Sequence, residues 1–165
     1  MPIASNEIKY RLSGGAANAD PTVSLGGAKS SVDAVPSTIF DTVAGAESSA
    51  GDVEYRCVYV HNSNATLSLQ NAVAWLSANT PSATTSVDIG LGTSALNATE
   101  QTVANESSAP AGVSFSPAAT LGAGIALGSI PAGQSRAVWI RRTVNAGTAA
   151  ANDGFTLRVT GDTAA

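Results

Sequence analysis

One cysteine, one histidine and one methionine in 165 residues leave most site chemistry short of its raw material. A single thiol, Cys57, cannot form an internal disulfide, so packing and hydrogen bonds must hold the fold. Its setting in an apolar, strand-like run predicts a small buried hydrophobe. One cysteine and one histidine cannot supply a zinc ligand set, the carboxylates are scattered singly, and no D-x-D-x-D-G calcium loop is present. His61 stands directly before an Asn/Ser turn, which predicts a polar strand-end residue and not a base poised beside a nucleophile. Gly122, Gly124 and Gly128 are spaced G-x-G-x-x-x-G, which is turn chemistry and not a dinucleotide fingerprint. No catalytic residue, cofactor-binding residue, metal ligand or cofactor is assigned.

Aromatics make up 5% of the chain and Asp, Glu, Lys and Arg together 12%, the latter about half the usual share. The net charge of −4 is divided unevenly. Residues 1–106 carry ten acidic and four basic side chains, whereas 107–165 carry four arginines and two aspartates. Stretches 57–87 and 107–135 contain no Asp, Glu, Lys or Arg. Two explanations stay open: much surface is covered in the working state, or Ser, Thr and Asn keep it soluble without charge. No run approaches the roughly 18 apolar residues that span a bilayer. The start, MPIASNEIKYRL, lacks a basic segment followed by an apolar one, so a cytoplasmic origin is expected, with export only inside a larger particle. Asn64, Asn97 and Asn105 open N-x-[ST] triplets, which mark surface turns.

What the chain does have is alternation. Two segments dominate: 53–62 (VEYRCVYVHN) followed by 67–77 (LSLQNAVAWLS), and 125–144 (IALGSIPAGQSRAVWIRRTV). They read as two halves of one sandwich. In the first, Val53, Tyr55, Cys57 and Tyr59 share one face and Glu54, Arg56, Val58 and Val60 the other. Both faces are partly apolar, as in a central strand or one covered by another chain. Leu67, Leu69, Val73 and Trp75 are read in phase, as one interrupted strand or two short ones. Further strands are expected at 7–12, 85–91, 113–115, 124–127 and 154–160, with 38–43 a short strand or a helical turn. The sum is about eight to ten short strands with almost no helix, an all-β antiparallel sandwich in one domain spanning 1–165. Residues 13–36 read as an extended N-terminal arm or long loop, and 92–112 as a second long irregular segment.

Asp52 and Glu54 share a strand face and are the one local carboxylate pair. Arg56 follows on that face, so a salt-linked surface is the expected role. Arg136 and Arg142 flank Val138 and Ile140 on one face of the last long strand, and Arg141 lies beside Trp139 on the other. The acidic balance opposes a nucleic-acid patch. Two readings stay open for these residues. One is a protein–protein interface built on Tyr59, Arg136, Trp139, Arg141 and Arg142. The other is structural salt links around a buried Trp139.

The phrases SLGGAKSS (24–31), GDVEYRCVYVHNSNATLSLQNAVAW (51–75), TSVDIGLG (85–92) and IPAGQSRAVWIRRTVNAG (130–147) resemble small structural proteins of tailed bacteriophages, of the head-decoration or cement type. The order of strands and turns also looks like immunoglobulin-like modules of phage and bacterial surfaces; a jelly-roll order stays open. The resemblance covers about residues 8–161 and brings no active-site residues. It implies a virion protein made in the host cytoplasm, whose partners are the major capsid protein and copies of itself in a dimer or trimer. No nucleic acid or membrane partner is implied. The segments 13–31 and 92–112 would be contact arms ordered on binding. Alternatives are a tail, neck or fibre component, a glycan-binding surface module, or a virion-associated hydrolase using Asp52 and Glu54.

Overall fold

The computed structural model describes residues 2–147 and 153–163. Ten strands and one short helix, α1 (Gly45–Ala50), are present among them. The strands are β1 (Ile8–Leu12), β2 (Gly26–Gly27), β3 (Asp52–Asn62), β4 (Leu69–Ala78), β5 (Thr85–Leu91), β6 (Glu100–Thr102), β7 (Phe115–Ser116), β8 (Ile125–Ile130), β9 (Ser135–Val144) and β10 (Thr156–Thr163). One sheet has the order β1-β3-β9-β5-β7, a second β10-β4-β8, and β2 pairs with β6 as a small third sheet. All pairings are antiparallel. The expected all-β sandwich is the observed architecture.

The two dominant segments are not the two halves of it. Each contributes one strand to each sheet: β3 and β9 pair with each other, while β4 and β8 pair in the opposite layer. Both crossings meet at Asn62, which is fully buried. Its side-chain amide donates to the Leu67 carbonyl at 2.8 Å on one crossing and to the Ile130 carbonyl at 2.9 Å on the other. Its backbone exchanges bonds with Gln134 and Gly133 in the second turn. One asparagine thus satisfies buried carbonyls at the corner where the chain changes layers.

The period-two pattern of β3 and β9 divides the interior. Val58, Val60, Val138 and Ile140 face the second sheet and pack with Leu69, Leu76, Leu127, Ile130 and Leu157 in the main core. Tyr55, Cys57, Tyr59, Ala137 and Trp139 face the other way into a second buried cluster. This second cluster is covered by the chain itself. The half of β3 that β1 does not reach receives two loop segments: Cys57 N donates to the Ser24 carbonyl and Tyr55 N to the Glu106 carbonyl. Val103, Val113 and Phe115 close over the cluster.

The segment 13–36 is therefore a long loop laid on the sheet, not an extended arm. Ser13, Ser24 and Ser30 are buried, and Ser13 Oγ donates to the Cys57 carbonyl at 2.9 Å. Gly26 is required where this loop meets 92–112: its φ is +92°, and a Cβ there would stand 1.8 Å from the Gln101 carbonyl oxygen. Residues 38–43 form neither a strand nor a full helical turn. A 3-10 turn, Pro36–Thr38, drops Ile39 into the core, and Phe40 follows.

Candidate functional site

With the outer face of the five-stranded sheet roofed, the residues expected at an interface fall into two groups. Trp139 is 0% exposed and Tyr59 1%, so both belong to the interior. Tyr59 Oη donates to the Gly27 carbonyl at 2.6 Å and accepts from Glu100 N at 2.9 Å, tying the roof to the sheet. Arg142 is 7% exposed and bonded to Glu54 and Asp41, with its guanidinium 4.8 Å from the centre of the Phe40 ring. Arg141 is half-buried, paired with Asp88 directly across the strands and stacked on Phe115. Arg136 is half-buried, with a buried Nε that has no hydrogen-bond partner. The structure places these five on two neighbouring strands but divides them between the faces: Tyr59, Trp139 and Arg141 lie on the roofed face, and Arg136 and Arg142 on the other. Periodicity placed them on the right faces but could not show that loops far away in sequence cover one of those faces.

The expected salt-linked surface of Asp52, Glu54 and Arg56 is also rearranged. Glu54 pairs with Arg142, its cross-strand partner, and Arg56 with Glu106. Residues i and i+2 on a strand stand nearly 7 Å apart, whereas cross-strand partners stand about 5 Å apart, so the neighbouring strand supplies the nearer cation. At 1% exposure and bonded to Arg142, Glu54 is not presented to a substrate cleft. Glu100, also buried, has no ion-pair partner among the described residues. Burial pushes its carboxyl up, but hydrogen bonds from Ser94 and Thr93 outweigh this and hold it below its ordinary value. The Trp139 indole adds a pull in the same direction without meeting hydrogen-bond geometry.

Cys57 is a free, fully buried thiol, and burial pushes its pKa up, the opposite of an activated nucleophile. His61 Nδ1 stands 3.1 Å from both Lys29 Nζ and the Gln134 carbonyl oxygen. Burial, followed by the Lys29 ammonium, holds its imidazole below 6.5. A pocket of about 320 Å³ opens beside Phe40, Asp41, Arg142 and Phe155, with Thr38 and Thr85 also lining it.

Among the described residues, no segment roofs the outer face of the β10-β4-β8 sheet, and the sequence reading missed this. Asn71 takes φ +50°, and β4 carries one extra residue there relative to each of its neighbours. Leu69 lies opposite Ile130 but Ala72 opposite Gly128, and Val73 opposite Thr160 but Gln70 opposite Asp162. This β-bulge flips the phase of the strand. Beyond it Ala72, Ala74 and Leu76 point inward, and Val73 and Trp75 point outward. Leu69 and Trp75 were expected on one face and lie on opposite faces. The signal was an Asn inside an apolar run, the non-glycine residue type most tolerant of the left-handed region.

On the outer face Trp75 lies opposite Arg158, and its Nε1 donates to Thr160 Oγ1 at 3.1 Å. Val73 lies between Thr160 and Ala126, and Thr156, Arg158, Thr160, Asp162 and Ala126 are exposed. The bond to Thr160 fixes the polar edge of the indole against β10. Arg158 and Asp162 are the two charged residues on these three strands. β10 and β8 are the edges of this sheet, with no further strand paired to them among the described residues. No family model, curated protein or solved structure matches the chain.

Proposed function

We propose that this chain is a non-enzymatic structural component of a phage virion, a capsid decoration or cement protein that stabilises contacts between capsomers. It would work as a dimer or trimer on the major capsid protein. The observation that carries this reading is the asymmetry of the two sheets: one is roofed by the chain's own loops, and the other presents a bare face of low charge. That face centres on Trp75 and Arg158, the residue types enriched where protein interfaces concentrate their binding energy. The open edges of β8 and β10 beside it can accept a strand from a neighbour. The long loops expected as contact arms pack on the chain itself, so the contact is assigned to the bare face and its edges. The phrases that resemble head-decoration proteins support the same reading. Its test is the copy number of the protein in purified particles and its rebinding to heads assembled without it. Hundreds of copies and saturable rebinding, lost with Trp75→Ala plus Arg158→Glu, are expected. Absence from mature particles would sink the proposal.

A glycan-binding module of a tail, neck or fibre is the second reading. It is supported by the partly exposed indole of Trp75 hydrogen-bonded to the Thr160 hydroxyl, since an outward aromatic ring beside a hydroxyl is the pairing that sugar rings stack on and bond to. A dozen or so copies per particle and Trp75-dependent binding on a glycan array would favour it over the shell.

A further inference from the structure

We propose that Glu47, Asp52 and Glu54 form a calcium-binding site where α1 enters β3. One carboxylate oxygen from each lies within 4.8 Å of the others. Oxygens bonded to one calcium at 2.3–2.6 Å stand no more than about 5 Å apart, so this spacing lets all three carboxylates share one ion. Calcium is chosen over magnesium because it accepts an irregular set of carboxylates and waters, whereas magnesium demands a near-ideal octahedron and dehydrates reluctantly.

The three carboxylates are delivered by separate local constraints. Glu47 is in the first turn of α1, where its Oε2 accepts from Ala44 N at 2.7 Å. Gly51, at φ +81°, turns the chain from the helix into the strand. Asp52 opens β3, with Oδ1 accepting from Val53 N at 2.8 Å, and Glu54 follows two residues on, on the same strand face. Glu47 and Asp52 each keep a second oxygen for another partner, and both are half-buried, which leaves an entry from solvent.

A separate observation points to a missing ligand. Glu54 is 1% exposed; Arg142 holds its Oε2, but its Oε1 is buried with no hydrogen-bond partner among the described residues. An unpartnered buried carboxylate oxygen is costly, and this one belongs to the carboxylate that completes the triangle. Protein cations do not fill the gap. Arg142 is divided between Glu54 and Asp41, Arg56 is taken by Glu106, and no ion pair reaches Glu47 or Asp52 among the described residues. A divalent cation supplies the absent positive charge, an oxygen-seeking partner for Oε1, and a clamp between α1 and β3.

The test is calcium titration of the metal-stripped full chain by calorimetry and thermal unfolding, with magnesium in parallel. Saturable calcium binding with a Kd of about 10⁻⁴–10⁻³ M is expected. Tm should rise by about 3–6 °C at ten times that concentration. Asp52→Asn with Glu47→Gln, which leaves the Glu54–Arg142 pair intact, should weaken binding at least tenfold; either single change should act in the same direction. Absence of both heat and Tm shift at about 10 mM calcium overturns the proposal. So does binding unchanged in these variants, or magnesium bound more tightly than calcium.

Discussion

Arg142 and Glu54 face each other across β9 and β3 and form a buried ion pair, closed on one side by Phe40. Asp41 shares the guanidinium through its backbone carbonyl and its carboxylate. The pair joins strands whose residues are 88 positions apart in the chain. It ties the 38–43 segment to the sandwich at the mouth of the pocket.

Removing one partner strands the other charge in the interior. Arg142→Ala or Glu54→Ala is expected to lower stability by about 3–5 kcal/mol. Replacing both with apolar residues of similar size should cost much less, because neither charge then has to be desolvated. Urea unfolding of the two single variants and the double variant checks this. Additive losses would show that the pairing is not what matters.

The two tryptophans should behave oppositely. Trp139→Ala opens a cavity in a fully buried cluster and is expected to cost about 3–5 kcal/mol. Trp75→Ala removes an outward indole and one hydrogen bond to Thr160, so a loss near 1 kcal/mol is expected. Only Trp75→Ala should abolish particle binding while circular dichroism and Tm stay near those of the parent. A Trp139 variant that folds normally but fails to bind would reverse the assignment.

Cys57 reports on the roof. Buried beneath 24–27 and bonded through its N–H to Ser24, the thiol should react with a disulfide reagent only when the roof opens. Gly26→Ala puts a Cβ against the Gln101 carbonyl and should speed that reaction at least tenfold while the sandwich keeps its strand signal. Unchanged reactivity would mean that the loops do not seal this face.

His61 gives stability a pH dependence of known sign. Its folded pKa lies below the unfolded value of about 6.5, so between the two the unfolded chain binds more protons. Its contribution is full above about 6.5 and is lost as pH falls through the folded pKa. Glu54, whose pKa is raised, acts in the opposite sense, so the informative quantity is a difference between proteins. His61→Gln should lose less stability than the parent between about pH 7.5 and 5, read from urea midpoints. Equal losses would remove His61 as the source.

The division of labour between sequence and tertiary structure is clearest on β3. That Val58 and Val60 lie opposite Cys57 and Tyr59 was legible, because side chains alternate along any strand and apolar groups must leave water. The same reasoning located β1, β5, β9 and β10 and put Arg141 on the face opposite Arg142. It also correctly marked both faces of β3 as in need of cover. What provides the cover was not legible, because the bonds from Cys57 to Ser24 and from Tyr55 to Glu106 join residues 33 and 51 positions apart with no period linking them. On β4 the bulge at a left-handed Asn71 reversed the face of the residues after it, and so turned Trp75 outward. Local pattern determined which strands exist and how their side chains alternate. Only three-dimensional packing decided which faces stay open, because coverage depends on where distant segments come to rest.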